Sequence, residues 1–334
     1  MTSSALTNDP SKTIATKIIA TKIIATGSYL PEKILTNSDL EKIVDTSHDW
    51  IFERTGIVKR HIAADSQLTS DLAVNAARIC LEQVNFLAQD IDMIIVATTT
   101  PDLTFPSTAT IVQKKIGANS AFAFDIQAVC SGFVFAVATA NSFIISGQVR
   151  NALVIGAETL SRILNWQDRN SCVLFGDGAG AVLLEKSSSP GILSTDLNSD
   201  GNLTDILKTS GGTSFNQSSG FIKMSGKEVF RHAVEKMSSS VNRSLGKANL
   251  TTADINLLVP HQANIRILDA VAKKLNLTKE QVVVTVGEHA NTSAASIPLA
   301  LDYANRRNGI KKGDIVVLEA LGGGLTWGSV VIKW

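Results

Sequence analysis

An α/β fold with a parallel sheet, built as two similar halves, is predicted for this chain of 334 residues by three observations. Short β-branched runs alternate with longer segments of helical character, the pattern of a parallel sheet covered by helices. Hydrophobic residues make up 44% and charged residues 18%, a balance that suits buried parallel strands. The order of elements also repeats. From Met93 the chain runs strand, helix, strand, then a helix opened by Cys130; from Asn256 it runs strand, helix, strand, then a helix just after Asn291. Met93 to Cys130 spans 37 positions and Asn256 to Asn291 spans 35, so a pseudo-two-fold places Cys130 and Asn291 at matching strand-to-helix junctions.

Taken in order, residues 1–16 are polar, lack the apolar core of a secretion signal, and read as a ragged tail. A tandem duplication follows, Thr16-Lys17-Ile18-Ile19-Ala20 and Thr21-Lys22-Ile23-Ile24-Ala25. The second copy is expected to be the first strand because Gly27-Ser28-Tyr29-Leu30-Pro31 turns directly after it. An N-terminal half is expected over 17–190 and a C-terminal half over 191–334. Further strands are expected at 93–98, 121–125, 152–157, 181–184, 256–259, 282–286, 315–320 and 329–332. Helices are expected at 70–84, 107–116, 131–146, 228–245, 264–274 and 293–306. Gly176-Asp177-Gly178-Ala179-Gly180 is followed by a strand where a dinucleotide fingerprint needs a helix, so it reads as a tight turn in the sheet.

Composition narrows the function classes. A net charge of +1 gives no case for nucleic-acid binding, although a local basic patch could recruit an acidic partner. No apolar run approaches the roughly 18–20 residues of a membrane span. Three sparse cysteines, Cys80, Cys130 and Cys172, without a CxxC pair, argue for a reducing, cytoplasmic setting and against structural zinc. Cys80 and Cys172 read as small buried hydrophobes.

Cys130 reads differently. It lies in Asp125-Ile126-Gln127-Ala128-Val129-Cys130-Ser131-Gly132-Phe133, where helix amides and the macrodipole are expected to ease ionisation of the thiol. His261 follows Val259-Pro260 at a strand end, and Asn291 opens Asn291-Thr292-Ser293-Ala294-Ala295-Ser296. Ligands in α/β sheets bind beyond the carboxyl ends of strands, so these three residues can converge there as an acyl-transfer site. His289 is a candidate for a supporting place in that site, whereas His48, His61 and His232 read as solvated or structural. Gly322-Gly323-Gly324 precedes the closing strand and reads as an oxyanion hole. Trp50 and Arg54 are four apart and share a helix face, a platform suited to an adenine and phosphates or to ordinary surface packing.

Together, Cys130, Pro260-His261-Gln262-Ala263-Asn264, Asn291-Thr292-Ser293-Ala294-Ala295-Ser296 and Leu321-Gly322-Gly323-Gly324-Leu325-Thr326-Trp327-Gly328 resemble the β-ketoacyl-[acyl-carrier-protein] synthase III family. The resemblance runs from about Thr21 to Trp334 and includes Asp45-Thr46-Ser47-His48-Asp49-Trp50-Ile51 and Arg54-Thr55-Gly56-Ile57. It implies a thiolase-like, five-layer α-β-α-β-α sandwich of two similar halves, acting as a homodimer. The implied reaction is a decarboxylating Claisen condensation of an acyl-CoA primer, typically acetyl-CoA, with malonyl-acyl-carrier protein. By the same resemblance Cys130 carries the acyl group, its amide and that of Gly323 form the oxyanion hole, and His261 and Asn291 stabilise the malonyl enolate. Trp50 and Arg169 clamp the adenine, with Thr46 and Arg54 assisting and Asn264 reaching the pantetheine arm. Phe105 crosses to the partner's acyl pocket, and Arg231, Arg266, Lys273 and Lys274 face the acidic carrier protein. No metal or prosthetic group is implied.

Two departures carry structural expectations. Ala290 stands where the motif usually has glycine, so a positive φ there would strain it. Leu321 and Leu325 replace residues that are often aromatic near the acyl pocket. Alternatives are a related synthase making a polyketide or signalling metabolite, a non-catalytic acyl-CoA-binding scaffold, a dehydrogenase and a hydrolytic cysteine enzyme.

Overall fold

The computed structural model describes residues 20–334; the expected tail and most of the first duplicate copy lie outside them. Two sheets organise the chain. The first contains β1 (Ala20–Tyr29), β2 (Met93–Ala97), β3 (Phe122–Ile126), β4 (Asn151–Thr159) and β5 (Asp177–Ser187), in the order β1-β5-β4-β2-β3. The second contains β6 (Ile192–Ser199), β7 (Leu257–Pro260), β8 (Ile315–Gly322) and β9 (Thr326–Lys333), in the order β7-β8-β9-β6. β2 is parallel to both β3 and β4, and β7 is parallel to β8; the other pairings are antiparallel.

The helices complete five layers. α1 (His48–Thr55) lies in the early loop region, α2 (Thr69–Glu82) and α3 (Thr108–Ile116) cover the outer face of the first sheet, and α4 (Gly132–Ile145) lies between the sheets. α5 (Gly226–Lys247) and α6 (Ile265–Lys274) cover the outer face of the second sheet, and α7 (Ser296–Arg306) joins α4 in the middle. Strand alternation explains the layering. Val316, Leu318 and Ala320 face α4 and α7, whereas Val317 and Leu321 face α5 and α6. α4 is apolar nearly all round because both of its sides are covered.

In strand order and direction the two sheets correspond, β2 with β7, β4 with β8, β5 with β9 and β1 with β6. The counterpart of β3 is missing, which corrects the strand expected at 282–286. That segment makes a single parallel bridge, Leu258 to Val282, and Val286 already begins a short helix, Val286–His289. Gln262 explains the loss. Its side chain donates to Val283 O (3.0 Å) and accepts from the amides of Thr285 (2.8 Å) and Val286 (3.1 Å), taking bonds that a ladder would otherwise make. The expected turn at 176–180 is also corrected, since Asp177 to Gly180 are the start of β5. A Cβ on Gly180 would fall 2.6 Å from the Pro298 carbonyl carbon, so glycine here lets strand and helix α7 meet. The second duplicate copy does form β1, pairing antiparallel with β5.

Candidate active site

Cys130 occupies a single 3-10 turn, Val129–Ser131, wedged between the end of β3 and α4. Val129 is held at φ 49°, a left-handed conformation unusual for a β-branched residue. Strain of this kind persists only where surrounding packing enforces it. The packing is the glycine turn between β8 and β9: a Cβ on Gly322 would lie 2.6 Å from Cys130 N. Ser131 adds a second tie, donating to Ala128 O (2.7 Å) and bonding Thr326 Oγ1 (2.8 Å).

The expected easy ionisation of the thiol is not what the site provides. Burial pushes the Cys130 thiol up to about 12, with the Ser293 hydroxyl opposing and the Glu158 carboxylate reinforcing the rise. Loss of water around the sulfur is the largest cause of that rise. Cys80 and Cys172 are fully buried in apolar clusters, as expected of structural thiols.

His261 follows β7 and its backbone amide donates to Glu319 O (2.8 Å), fixing the ring at the strand end. Nδ1 lies 2.6 Å from Ser296 Oγ. That hydroxyl also accepts from the Gln262 amide (3.3 Å); with its own proton directed to Nδ1, the tautomer we assign, Nε2 carries the ring hydrogen. Burial lowers the imidazole to about 3, so the ring is neutral. It is therefore a neutral hydrogen-bond donor.

Asn291 is aimed by the same logic. Its Oδ1 accepts from Ser293 N (2.9 Å), which leaves Nδ2 as the outward donor. Its backbone is clamped to the first half, donating to Leu174 O (2.9 Å) and accepting from Gly176 N (3.0 Å). Ala290 just before it has φ 57° and ψ −164°, a region that favours glycine, so the anticipated strain is present. Cys130, His261, Asn291, Gly323 and Asn264 all line one cavity of about 1310 Å³. Asn264 caps α6, accepting from Ile267 N (3.1 Å).

Leu321 and Gly324 line it too, whereas Leu325, Thr46, Trp50, Arg54 and Arg169 do not. Trp50 carries two guanidinium groups, Arg54 at 4.5 Å and Arg169 at 4.6 Å from its ring centroid. Arg169 also donates to Asp45 O (2.9 Å), beside Thr46, whose buried hydroxyl has no partner among the described residues. Phe105 is 83% exposed and does not line its own cavity, although Leu103 and Thr104 do. Arg231 is held by Glu228, whereas Arg266, Lys273 and Lys274 are exposed on α6. His289 is not among the cavity-lining residues; it packs edge-on against Tyr303 and burial lowers it to about 4. Sequence reasoning missed Glu158, Ser293 as a participant, and Ser296. The available signals were an acid directly after the apolar run 152–157, and hydroxyls inside the Asn291 motif.

Comparisons with known proteins place the chain in a family. The family described as 3-oxoacyl-[acyl-carrier-protein (ACP)] synthase III matches residues 124–201, and its C-terminal family matches 245–334. A β-ketoacyl-[acyl-carrier-protein] synthase III from Dinoroseobacter shibae is 56% identical over 314 residues, covering 92% of this chain and 97% of the relative. The one from Wolbachia pipientis wMel is 58% identical over 311 residues, covering 92% and 98%. The crystal structure of 3-oxoacyl-[acyl-carrier-protein] synthase III from Aquifex aeolicus VF5 superposes with a TM-score of 0.91 at 47% identity, covering 94% of this chain and all of that one. Cys130, His261 and Asn291 thus sit in a frame shared along nearly the whole chain, which belongs to the β-ketoacyl-[acyl-carrier-protein] synthase III family.

Proposed function

We propose that the chain condenses an acyl-CoA primer, typically acetyl-CoA, with malonyl-acyl-carrier protein, releasing CoA and carbon dioxide and giving a 3-oxoacyl-carrier protein that initiates fatty acid synthesis. The carrying observation is that one thiol from the first half and one imidazole and one carboxamide from the second line the same cavity. Cys130 attacks the primer thioester and holds the acyl group, so one difficult carbon–carbon bond formation becomes two easier steps. The amides of Cys130 and Gly323 receive the oxyanion; one such donor is worth roughly 3 kcal/mol. His261 Nε2–H and Asn291 Nδ2–H then donate to the malonyl thioester oxygen and stabilise the enolate as carbon dioxide leaves. The enolate carbon attacks the acyl-Cys130 carbonyl. Amides, a neutral imidazole and a carboxamide handle the developing charge, so the reading assigns no metal or prosthetic group.

Around this chemistry, the Trp50, Arg54 and Arg169 stack receives the adenine, with Thr46 and Asn264 along the path to the thiol. Adenine entry requires Arg169 to leave the indole face it now covers. The exposed Phe105 and the open edge strand β3, with Phe122 44% exposed, support a homodimer in which Phe105 reaches the partner's acyl pocket. Arg266, Lys273 and Lys274 form the exposed part of the carrier-protein surface, with Arg231 joining once released from Glu228. No described helix is long and apolar enough to cross a membrane, and the reading places the enzyme in the cytoplasm.

Half-reactions test the assignment. His261→Ala and Asn291→Ala should slow malonyl decarboxylation by about 10²-fold or more, while acylation of Cys130 from acetyl-CoA falls by less than tenfold. Equal losses in both half-reactions contradict the division of roles.

A further inference from the structure

The attacking thiol must lose a proton, and His261 is badly suited to take it, since burial disfavours the imidazolium that would result. Another route leads away from the cavity into the first half. Glu158 near the end of β4 is completely buried. It accepts from the hydroxyls of Thr98 (3.3 Å), Thr99 (2.9 Å) and Thr100 (2.6 Å) and from the Thr99 amide (3.1 Å). Among the described residues no Lys, Arg or His pairs with it. A buried carboxylate without a cation is costly, and here only hydrogen bonds from the Thr98–Thr100 segment offset that cost.

Its orientation follows from the strand. Gly156, two residues earlier and on the same face of β4, abuts the turn Ser293–Ala295, where a Cβ would fall 2.2 Å from Ala294 O. The face that carries Glu158 is thus the face against which Ser293 packs. Ser293 is 1% exposed, its hydroxyl has no hydrogen-bond partner among the described residues, and it lines the cavity with Cys130. The Ser293 backbone is held at φ 49°, so packing fixes where that free hydroxyl stands.

We propose that Ser293 relays the Cys130 proton to Glu158, making Glu158 the general base for the acylation half-reaction. This rests on the acyl-transfer reading above. The thiol proton moves to Ser293 Oγ as the Ser293 proton moves to a Glu158 oxygen, and the sulfur lone pair attacks the thioester carbonyl. When the tetrahedral adduct collapses, the carbon–sulfur bond to CoA breaks. The CoA thiolate takes the proton back from Glu158 through Ser293, so proton and charge balance. Only one negative charge occupies the buried set at any time. Burial raises Glu158 toward neutrality, and the Ser293 hydroxyl eases ionisation of both ends, as a shared partner should.

Alkylation of Cys130 by iodoacetamide tests the relay without any acyl-CoA, so its outcome is separate from the substrate assignment. The titratable groups to consider are Glu158 on β4, His261 after β7, and Asp102 and Arg162, which also line the cavity. Glu158→Gln and Ser293→Ala are expected to slow alkylation at pH 7 at least tenfold. The deficit should shrink as pH rises toward 10, where hydroxide replaces the relay. Should Glu158→Gln fail to fold, Ser293→Ala, which keeps the volume and backbone class, decides alone. Wild-type rates across pH, or one constant reduction with an unchanged profile, overturn the proposal.

Discussion

Gly322→Ala is the most telling single substitution, because it strikes the nucleophile and its oxyanion-hole amide through the backbone without changing any catalytic side chain. An ideal Cβ at Gly322 lies 2.6 Å from Cys130 N, 2.8 Å from Ala128 O and 3.0 Å from Ser131 N. All three are backbone atoms of one strained turn, and the shortest falls roughly 0.8 Å inside the 3.4 Å of ordinary contact. No side chain can swing aside, so the Cys130 turn or the glycine turn must move by most of that distance. A misplacement near 1 Å costs on the order of 10²-fold in rate, and overpacking costs about 1–3 kcal/mol of stability. The expected outcome is a folded protein whose Cys130 takes up acetyl from acetyl-CoA about 10²-fold more slowly, read as CoA release in the first turnover. Gly246→Ala is the control. Nothing lies within 4 Å of its Cβ position on an exposed face of α5, so stability should rise by about 0.4–1 kcal/mol with acylation unchanged. Acylation of Gly322→Ala within threefold of wild type would refute the claim that this contact sets the thiol.

Further outcomes follow from the same coordinates. Glu319 is completely buried on β8, neither of its carboxylate oxygens has a partner among the described residues, and burial raises it to about 8 from 4.5. Between those values the folded state holds a proton that the unfolded state has lost, so stability falls as pH rises, by up to about 1.4 kcal/mol per pH unit. Glu319→Gln should flatten that part of the denaturant-melt profile between pH 5 and 8; an unchanged slope contradicts it. Ala290→Gly relieves a φ of 57° worth about 1–3 kcal/mol, offset by about 1 kcal/mol of backbone freedom and a similar amount for the lost methyl. Stability should therefore hold or rise slightly in urea melts, and a loss above 1 kcal/mol contradicts the strain. Trp50→Ala should raise the KM for acetyl-CoA by roughly 5- to 30-fold, the equivalent of about 1–2 kcal/mol of cation–π and stacking contact. Its kcat should stay within threefold, and an unchanged KM argues against the adenine platform.

What was legible in the sequence was whatever its local pattern determines. Met93–Ala97 and Ile315–Gly322 are β-branched runs buried on both faces, and their neighbours cannot make them anything else. The 282–286 segment carries the same signal, yet Gln262, twenty residues earlier, takes its hydrogen bonds. Gly180 looked like a turn because the helix that demands a bare backbone, α7, lies more than a hundred residues away. At the site, the residue types of Cys130, His261 and Asn291 announce chemistry. Their protonation does not, because it depends on how thoroughly water is excluded. Glu158 and Ser293 escaped notice for the same reason: a buried acid matters only once its burial and its missing cation are known.

The account stands on Cys130 as the acyl carrier, and intact-protein and peptide mass spectrometry after exposure to mixed short acyl-CoAs reads this directly. A single acyl mass added to the Cys130 peptide, absent in Cys130→Ser, is the expected result. No adduct from any short acyl-CoA, or an adduct that persists in Cys130→Ser, contradicts it.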